Sequence, residues 1–144
     1  MIDPHDLHRF VEAQAPVYER VLAELRAGRK TSHWMWFVFP QIAGLGTSPM
    51  AKKFAIRSLE EARAYLAHEV LGPRLEECTK LVLAAQNRSI SEILGYPDDM
   101  KFRSSMTLFA QAAGNGGSLF EAALQQFYDG EPDPLTLRHL GDQA

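Results

Sequence analysis

Hydrophobic residues recur at helical spacing along most of this chain. The clearest stripe steps by three or four residues through Leu71, Leu75, Cys78, Val82 and Ala85. A period of this kind places its members on one face of a helix. Shorter stripes with the same spacing occur before and after it. The pattern predicts an all-α (mainly α) fold, a compact single-domain bundle of about seven or eight short helices.

Residues that favour helix starts divide this pattern into separate elements. Aspartate and serine are favourable N-cap residues, and proline suits the first helical position after them. This pair occurs at Asp3-Pro4, Ser48-Pro49 and Asp133-Pro134. The spacing of a capping box occurs at Ser58 with Glu61 and at Ser118 with Glu121. No repeat, heptad or interdomain linker interrupts the chain, so we expect residues 1–144 to form a single helical domain.

An aromatic segment at residues 33–40, HWMWFVFP, is too short for periodicity to assign. A buried strand and a buried helical turn look alike at this length. No second convincing strand is present, and a lone strand would leave its buried backbone groups unpaired. We therefore predict a short buried helix or an irregular core segment here.

Composition and charge limit the function classes. Hydrophobic residues make up 46% of the chain, which is enough to build a core. The net charge of -3 gives no attraction for phosphate backbones or anionic lipid, so we expect no nucleic-acid and no membrane partner. The polar N-terminus and the single cysteine, Cys78, favour a cytoplasmic protein without disulfides. No cofactor or metal site is predicted, and the oligomeric state is left open.

Two polar clusters contain the candidate ligand-binding residues. One flanks the aromatic segment, where rings can stack on a ligand while cations hold an anionic group. The other lies in a predicted helix, where hydroxyls and cations within two turns can hold a phosphate. The candidates are Lys30, His33, Trp34 and Gln41 in the first cluster, and Lys101, Arg103, Ser105 and Thr107 in the second. We hypothesise that the clusters meet around a small anionic or nucleotide-like ligand.

Each cluster also has a structural interpretation. Trp34 can be a core aromatic, and the hydroxyls of the second cluster can bond to the preceding helical turn. A further loop, Gly44-Leu45-Gly46, leads to a helix start followed by Lys52 and Lys53, a geometry that can present backbone N–H groups to an anion. This loop lacks the spacing of a Walker A or dinucleotide-binding motif.

Four segments resemble those of the bacterial domain of unknown function 1810 family. They are SHWMWFVFPQ at residues 32–41, GLGTSPMAKKFAI at 44–56, HEVLGPRL at 68–75 and KFRSSMTLF at 101–109. The resemblance runs in order from about Asp6 to Gly141. It implies a mainly α-helical single-domain fold, as in a mycobacterial member, and it implies no established activity.

The resemblance also brings two functional alternatives, and the aromatic segment itself gives a third. Some members carry the label calpastatin, but inhibitory calpastatin segments are disordered, whereas this chain is patterned and capped throughout. A fainter similarity to helical N-glycosidases gives a weaker alternative, an N-glycosidase-like hydrolase. The main alternative to ligand binding is a non-catalytic protein-interaction module that exposes the aromatic segment. No catalytic residue is predicted, so the sequence leaves open whether the protein is an enzyme.

Overall fold

A computed structural model describes residues 2–114 and 117–141, so residues 1, 115–116 and 142–144 of the predicted domain lie outside it. The described residues form ten α-helices and no β-strand, which confirms the predicted all-α fold. The helices are α1 (His8–Gln14), α2 (Tyr18–Arg26), α3 (Met35–Val38), α4 (Pro49–Lys53), α5 (Leu59–Ala67), α6 (Leu71–Ala84), α7 (Ile90–Leu94), α8 (Asp98–Ala113), α9 (Leu119–Tyr128) and α10 (Pro134–Gly141). Their number exceeds the predicted seven or eight because α3, α4 and α7 have only four or five residues each.

Helix α8 lies at the centre of the fold and packs against α5 and α9. Its Phe109 ring lies 5.2 Å from the ring of Tyr65 in α5 and 5.8 Å from that of Phe120 in α9. The predicted stripe of α6 also faces the core, because Leu71, Leu75, Cys78 and Val82 are all buried. None of the helices within the described ranges has both the length and the apolar character needed to cross a membrane.

The aromatic segment forms the short buried helix that the sequence predicted. Helix α3 occupies its middle, and the flanking Trp34 and Phe39 are almost completely buried. The Phe39 ring packs edge-on against Phe102 of α8 at 4.9 Å. The aromatic segment therefore lies directly against the helix that carries the second polar cluster.

Several predicted helix starts are confirmed, and one is wrong. Ser58 caps α5 through its hydroxyl, and Asp133 caps α10 by accepting the Thr136 N–H at 3.1 Å. No helix begins at Asp3-Pro4, because residues 3–6 first form a turn and Asp6 has a φ of 50°. The carboxylate of Asp3 instead accepts N–H groups at the entrance to α1, which starts at residue 8.

The predicted capping box at Ser58 and Glu61 forms only one of its two hydrogen bonds. The Ser58 hydroxyl accepts the Glu61 N–H, but the Glu61 carboxylate binds Arg9 at 2.9 Å instead of turning back to the cap. A complete capping box forms at Ser89 and Glu92, where the sequence analysis did not predict one. The difference arises because the Arg9 and Arg57 guanidinium groups compete for the Glu61 carboxylate.

Candidate ligand-binding site

Glu24, near the end of α2, fixes the start of the aromatic segment. Its carboxylate accepts hydrogen bonds from the Thr31 N–H at 2.7 Å, from the N–H and hydroxyl of Ser32, and from the Trp34 indole at 3.0 Å. Burial alone would raise the pKa of this carboxyl, but the hydrogen bonds from Ser32, Thr31 and Trp34 outweigh it and lower the pKa to about 2. Glu24 is therefore ionised at neutral pH and holds residues 31–34 in place.

Asp98, the first residue of α8, joins the two polar clusters. One of its carboxylate oxygens lies 2.8 Å from the Lys30 ammonium, and the other lies 3.8 Å from that of Lys101. The Lys30 side chain is only 8% exposed, and its ammonium lies 5.1 Å from the Trp34 ring centroid. The clusters that are about 70 residues apart in the sequence thus meet at the N-terminal end of α8.

A first cavity, the loop cavity, lies beside the loop that leads into α4. It has a volume of about 140 Å³ and is lined by Trp36, Gln41, Ile42, Ala43, Gly44, Gly46, Ala51, Lys52, Phe54, Ala55 and Arg57. Among these described residues the only ionisable side chains are Lys52 and Arg57, and both are cationic. Both charged side chains that line the loop cavity are therefore cations.

A second cavity, the helix cavity, lies next to the loop cavity and shares Gln41 with it. It has a volume of about 220 Å³ and is lined by Gln41, Leu45, Pro97, Met100, Lys101, Ser104, Asp133 and Leu135. Its lining combines apolar side chains with one cation and one carboxylate. The Lys101 ammonium also lies 5.7 Å from the ring centroid of Trp36, which lines the loop cavity. The two cavities are therefore neighbours on either side of Gln41.

The four candidates of the first cluster occupy different environments. Gln41 lines both cavities. Trp34 is completely buried, and Lys30 lies beneath the surface in its ion pair with Asp98. His33 is exposed and lines neither cavity. Only Gln41 of this cluster thus faces a space that a ligand could fill.

In the second cluster, only Lys101 lines the helix cavity. Arg103 donates to the carbonyl oxygens of Glu131 at 3.0 Å and Pro132 at 3.1 Å. The Thr107 hydroxyl donates to the Arg103 carbonyl and accepts the Asp133 N–H, both at 2.8 Å. Arg103 and Thr107 thus hold the backbone of residues 131–133 against α8, which places Asp133 at the helix cavity.

Ser105 is completely buried, and its hydroxyl has no hydrogen-bond partner among the described residues. Burying an unpaired hydroxyl costs about 1–3 kcal/mol. We expect Ser105→Ala to raise the free energy of unfolding by about 1 kcal/mol, measured by urea denaturation. Ser104→Ala is the matched control, because it removes the hydroxyl that donates to Asp133 at 3.0 Å and should be destabilising. Equal destabilisation by both changes would contradict an unpaired Ser105.

A third and larger cavity, of about 480 Å³, lies between α8 and α9. Thr107 is at its wall together with uncharged side chains such as Gln111 and Gln125. The only charged side chain among its described lining residues is Glu121, which repels an anion. This cavity therefore does not suit the anionic ligand that the sequence suggested.

Sequence reasoning did not select Glu24 or Arg57 as site residues, and it assigned Asp133 to a helix cap. A signal for Glu24 does exist, since it follows Val21 by three residues and so lies on the apolar face of its helix. A glutamate in that position needs buried donors. Arg57 and Asp133 carry no comparable signal, because their place at the cavities depends on how distant segments pack.

Comparisons with known proteins agree with this fold. The family model described as a protein of unknown function (DUF1810) matches residues 4–140. The crystal structure of the conserved hypothetical protein Rv1873 from Mycobacterium tuberculosis is similar to this chain, with a TM-score of 0.94 and 60% sequence identity. The similarity covers 96% of this chain and 99% of that one. No curated protein matches the chain. The family model spans nearly the whole sequence, and the chain therefore belongs to the DUF1810 family.

Proposed function

We propose that the protein binds a small ligand through an anionic group held in the loop cavity. The observation that carries this proposal is the charge of the lining, in which Lys52 and Arg57 are the only ionisable side chains among the described residues. An anion placed between them gains charge-assisted hydrogen bonds and offsets the repulsion between the two cations.

A neighbouring carboxylate pairs with one of the two cations of this cavity. The Arg57 guanidinium lies 3.2 Å from the Glu61 carboxylate, which also binds Arg9 at 2.9 Å. One carboxylate is thus shared between two arginines. Lys52 adds a further positive charge, and it is exposed to solvent where an incoming anion can reach it.

Size and position favour an organic anion over a bare inorganic ion. Binding pockets for small organic molecules usually measure about 300–1,000 Å³. Neither the loop cavity nor the helix cavity reaches that range alone, but the two together do. Gln41 lines both, so it can donate or accept a hydrogen bond in the middle of a ligand that extends from one cavity into the other.

The burial of the aromatic segment supports ligand binding over the interaction-module alternative. A docking surface built on this segment needs exposed aromatic faces. Trp34 is completely buried and Trp36 is partly buried at the loop cavity. The one tryptophan that reaches the surface thus does so at the wall of a cavity.

Thermal unfolding with added anions tests the proposal. We expect inorganic phosphate, pyrophosphate or sugar phosphates to raise the Tm by roughly 10 °C at about 100 times their Kd, because a ligand that binds only the folded state stabilises it by mass action. Lys52→Met should weaken this binding about tenfold, and added salt should weaken it further.

Lys53→Met is the matched control for this experiment. Lys53 lies next to Lys52 on α4 but does not line the loop cavity, and its ammonium lies 5.3 Å from the ring centroid of Phe54. The control should bind like the unmodified protein. Equal losses in both variants would assign the effect to general surface charge, and the absence of any anion-induced shift would contradict the proposed function.

A further inference from the structure

We infer that the ligand carries a planar heterocycle with an amino group, and that this ring occupies the helix cavity while the anionic group occupies the loop cavity. The inference rests on the proposed function and names the class of ligand for the same site. It derives from the contrast between the two cavities, since the charged side chains that line one are both cations, whereas the other combines apolar walls with the ammonium of Lys101 and the carboxylate of Asp133.

The apolar walls of the helix cavity suit a ring. Met100 is 50% exposed and Leu135 is 51% exposed, although both are large hydrophobic side chains. Together with Pro97 they line one small cavity next to α8. A flat aromatic ring seated there would remove their apolar surface from water, which is favourable.

The carboxylate of Asp133 supplies the directional contact. Its Oδ2 atom accepts three hydrogen bonds, from the Ser104 hydroxyl at 3.0 Å and from the N–H and hydroxyl of Thr136 at 3.1 and 2.6 Å. Its Oδ1 atom accepts none from the residues that the structure describes. The Asp133 carboxylate is therefore held in a fixed orientation, and its Oδ1 atom can accept a hydrogen bond from a ligand. An ionised carboxylate only accepts hydrogen bonds, so the matching ligand atom is an N–H or O–H donor.

The arrangement of the cavities sets the shape of the ligand. Gln41 lies between them, and the Lys101 ammonium of the helix cavity stands 5.7 Å from the ring centroid of Trp36 at the loop cavity. The anionic group and the ring must therefore be joined by a short polar spacer that passes Gln41. A nucleoside monophosphate has this construction, with a phosphate at one end and an amino-substituted base at the other.

Titration calorimetry with matched ligands tests this inference. The ligands are AMP, GMP and CMP, together with purine riboside 5′-monophosphate, which has the shape of AMP without its amino group. We expect at least one of the three amino nucleotides to bind about tenfold more tightly than the analogue, the usual effect of one hydrogen bond to a charged group. Equal affinity of all four compounds would overturn the inference.

Asp133→Asn gives a second, independent readout. Asparagine caps a helix as well as aspartate does, so the amide oxygen can keep the internal hydrogen bonds. The amide nitrogen then replaces the free acceptor with a donor, and the preference for amino nucleotides should disappear while the affinity for inorganic phosphate stays unchanged. Asp129→Asn is the control. Asp129 is exposed and, like Asp133, precedes α10 in the sequence, so this variant should keep the preference for amino nucleotides.

Lys52→Met separates failure of this inference from failure of the proposed function. If Lys52→Met does not weaken phosphate binding, the loop cavity is not the anion site and both proposals fail. If it does weaken phosphate binding, but Asp133→Asn leaves the amino preference intact, the proposed function stands and the assignment of the ring to the helix cavity is wrong. Should Asp133→Asn fail to fold, the comparison of AMP with its analogue on the unmodified protein decides.

Discussion

Glu24→Gln is expected to lower the free energy of unfolding by about 3 kcal/mol at pH 7. The reason is the environment of the carboxylate, which is 8% exposed and accepts hydrogen bonds from Thr31, Ser32 and Trp34. These donors lower the pKa of Glu24 from an ordinary value of 4.5 to about 2. Each unit of pKa corresponds to about 1.4 kcal/mol of preference for the charged form in the folded state.

The same pKa predicts a specific pH dependence. Because the folded-state pKa is below the unfolded value, the contribution of Glu24 is fully present above pH 4.5 and is lost as the pH falls from about 4.5 to about 2. The unmodified protein should therefore lose stability over this interval more steeply than Glu24→Gln does. Chemical denaturation at several pH values between 2 and 7 measures both curves.

Glu19→Gln is the control for the Glu24 experiment. Glu19 is an exposed residue in the first turn of the same helix, near the positive end of the helix dipole. Its replacement should cost no more than about 1 kcal/mol. Similar losses in the two variants, or parallel acid curves for Glu24→Gln and the unmodified protein, would contradict the role assigned to Glu24.

Gly72→Ala is the second change with a large expected effect. Gly72 lies in the first turn of α6, and a Cβ atom added there would overlap the backbone carbonyl oxygen of Leu66 in α5. A backbone atom cannot move aside as the end of a flexible side chain can, so the two helices would have to separate. We expect the free energy of unfolding to fall by about 3 kcal/mol, as measured by urea denaturation.

Gly141→Ala tests whether this loss comes from close packing. Gly141 is also a helical residue, at the end of α10, and an added Cβ atom would meet no atom of the described residues within 4 Å. Alanine is the better helix former, so this variant should be unchanged or more stable by up to about 1 kcal/mol. Destabilisation of both variants to the same extent would show that the loss at Gly72 does not come from the close approach of α5 and α6.

Most of the helical framework could be predicted because it depends on local sequence. The stripe of α6 and the caps at Ser58 and Asp133 are formed by residues within a few positions of one another. The start of α1 could not be predicted in the same way. An Asp-Pro pair has the same sequence whether the aspartate caps a helix directly or closes a turn before it, as Asp3 does here. An aspartate or serine can accept backbone N–H groups in a turn as well as at a helix start, so its presence does not fix the residue at which the helix begins.

The candidate site was predictable only in part because it is built from distant segments. The sequence suggested that the two polar clusters meet, and Asp98 does join Lys30 to Lys101. The hydroxyl of Thr107 and the guanidinium of Arg103 bind backbone atoms about 30 residues further along the chain, and no local pattern indicates such partners. Charge composition alone likewise cannot show that Lys52 and Arg57 line the same cavity.

The backbone on both sides of the loop cavity is already joined before any ligand arrives. The Gln41 carbonyl accepts the Ile56 N–H at 2.8 Å, and the Ala43 N–H donates to the Ile56 carbonyl at 2.7 Å. The backbone of Gln41 is consequently held against that of Ile56, the residue before Arg57. A ligand that enters the loop cavity would find a preorganised wall, so little conformational entropy would be lost on binding. Association should then proceed in a single kinetic phase at a rate set by diffusion and charge, without a slow closing step.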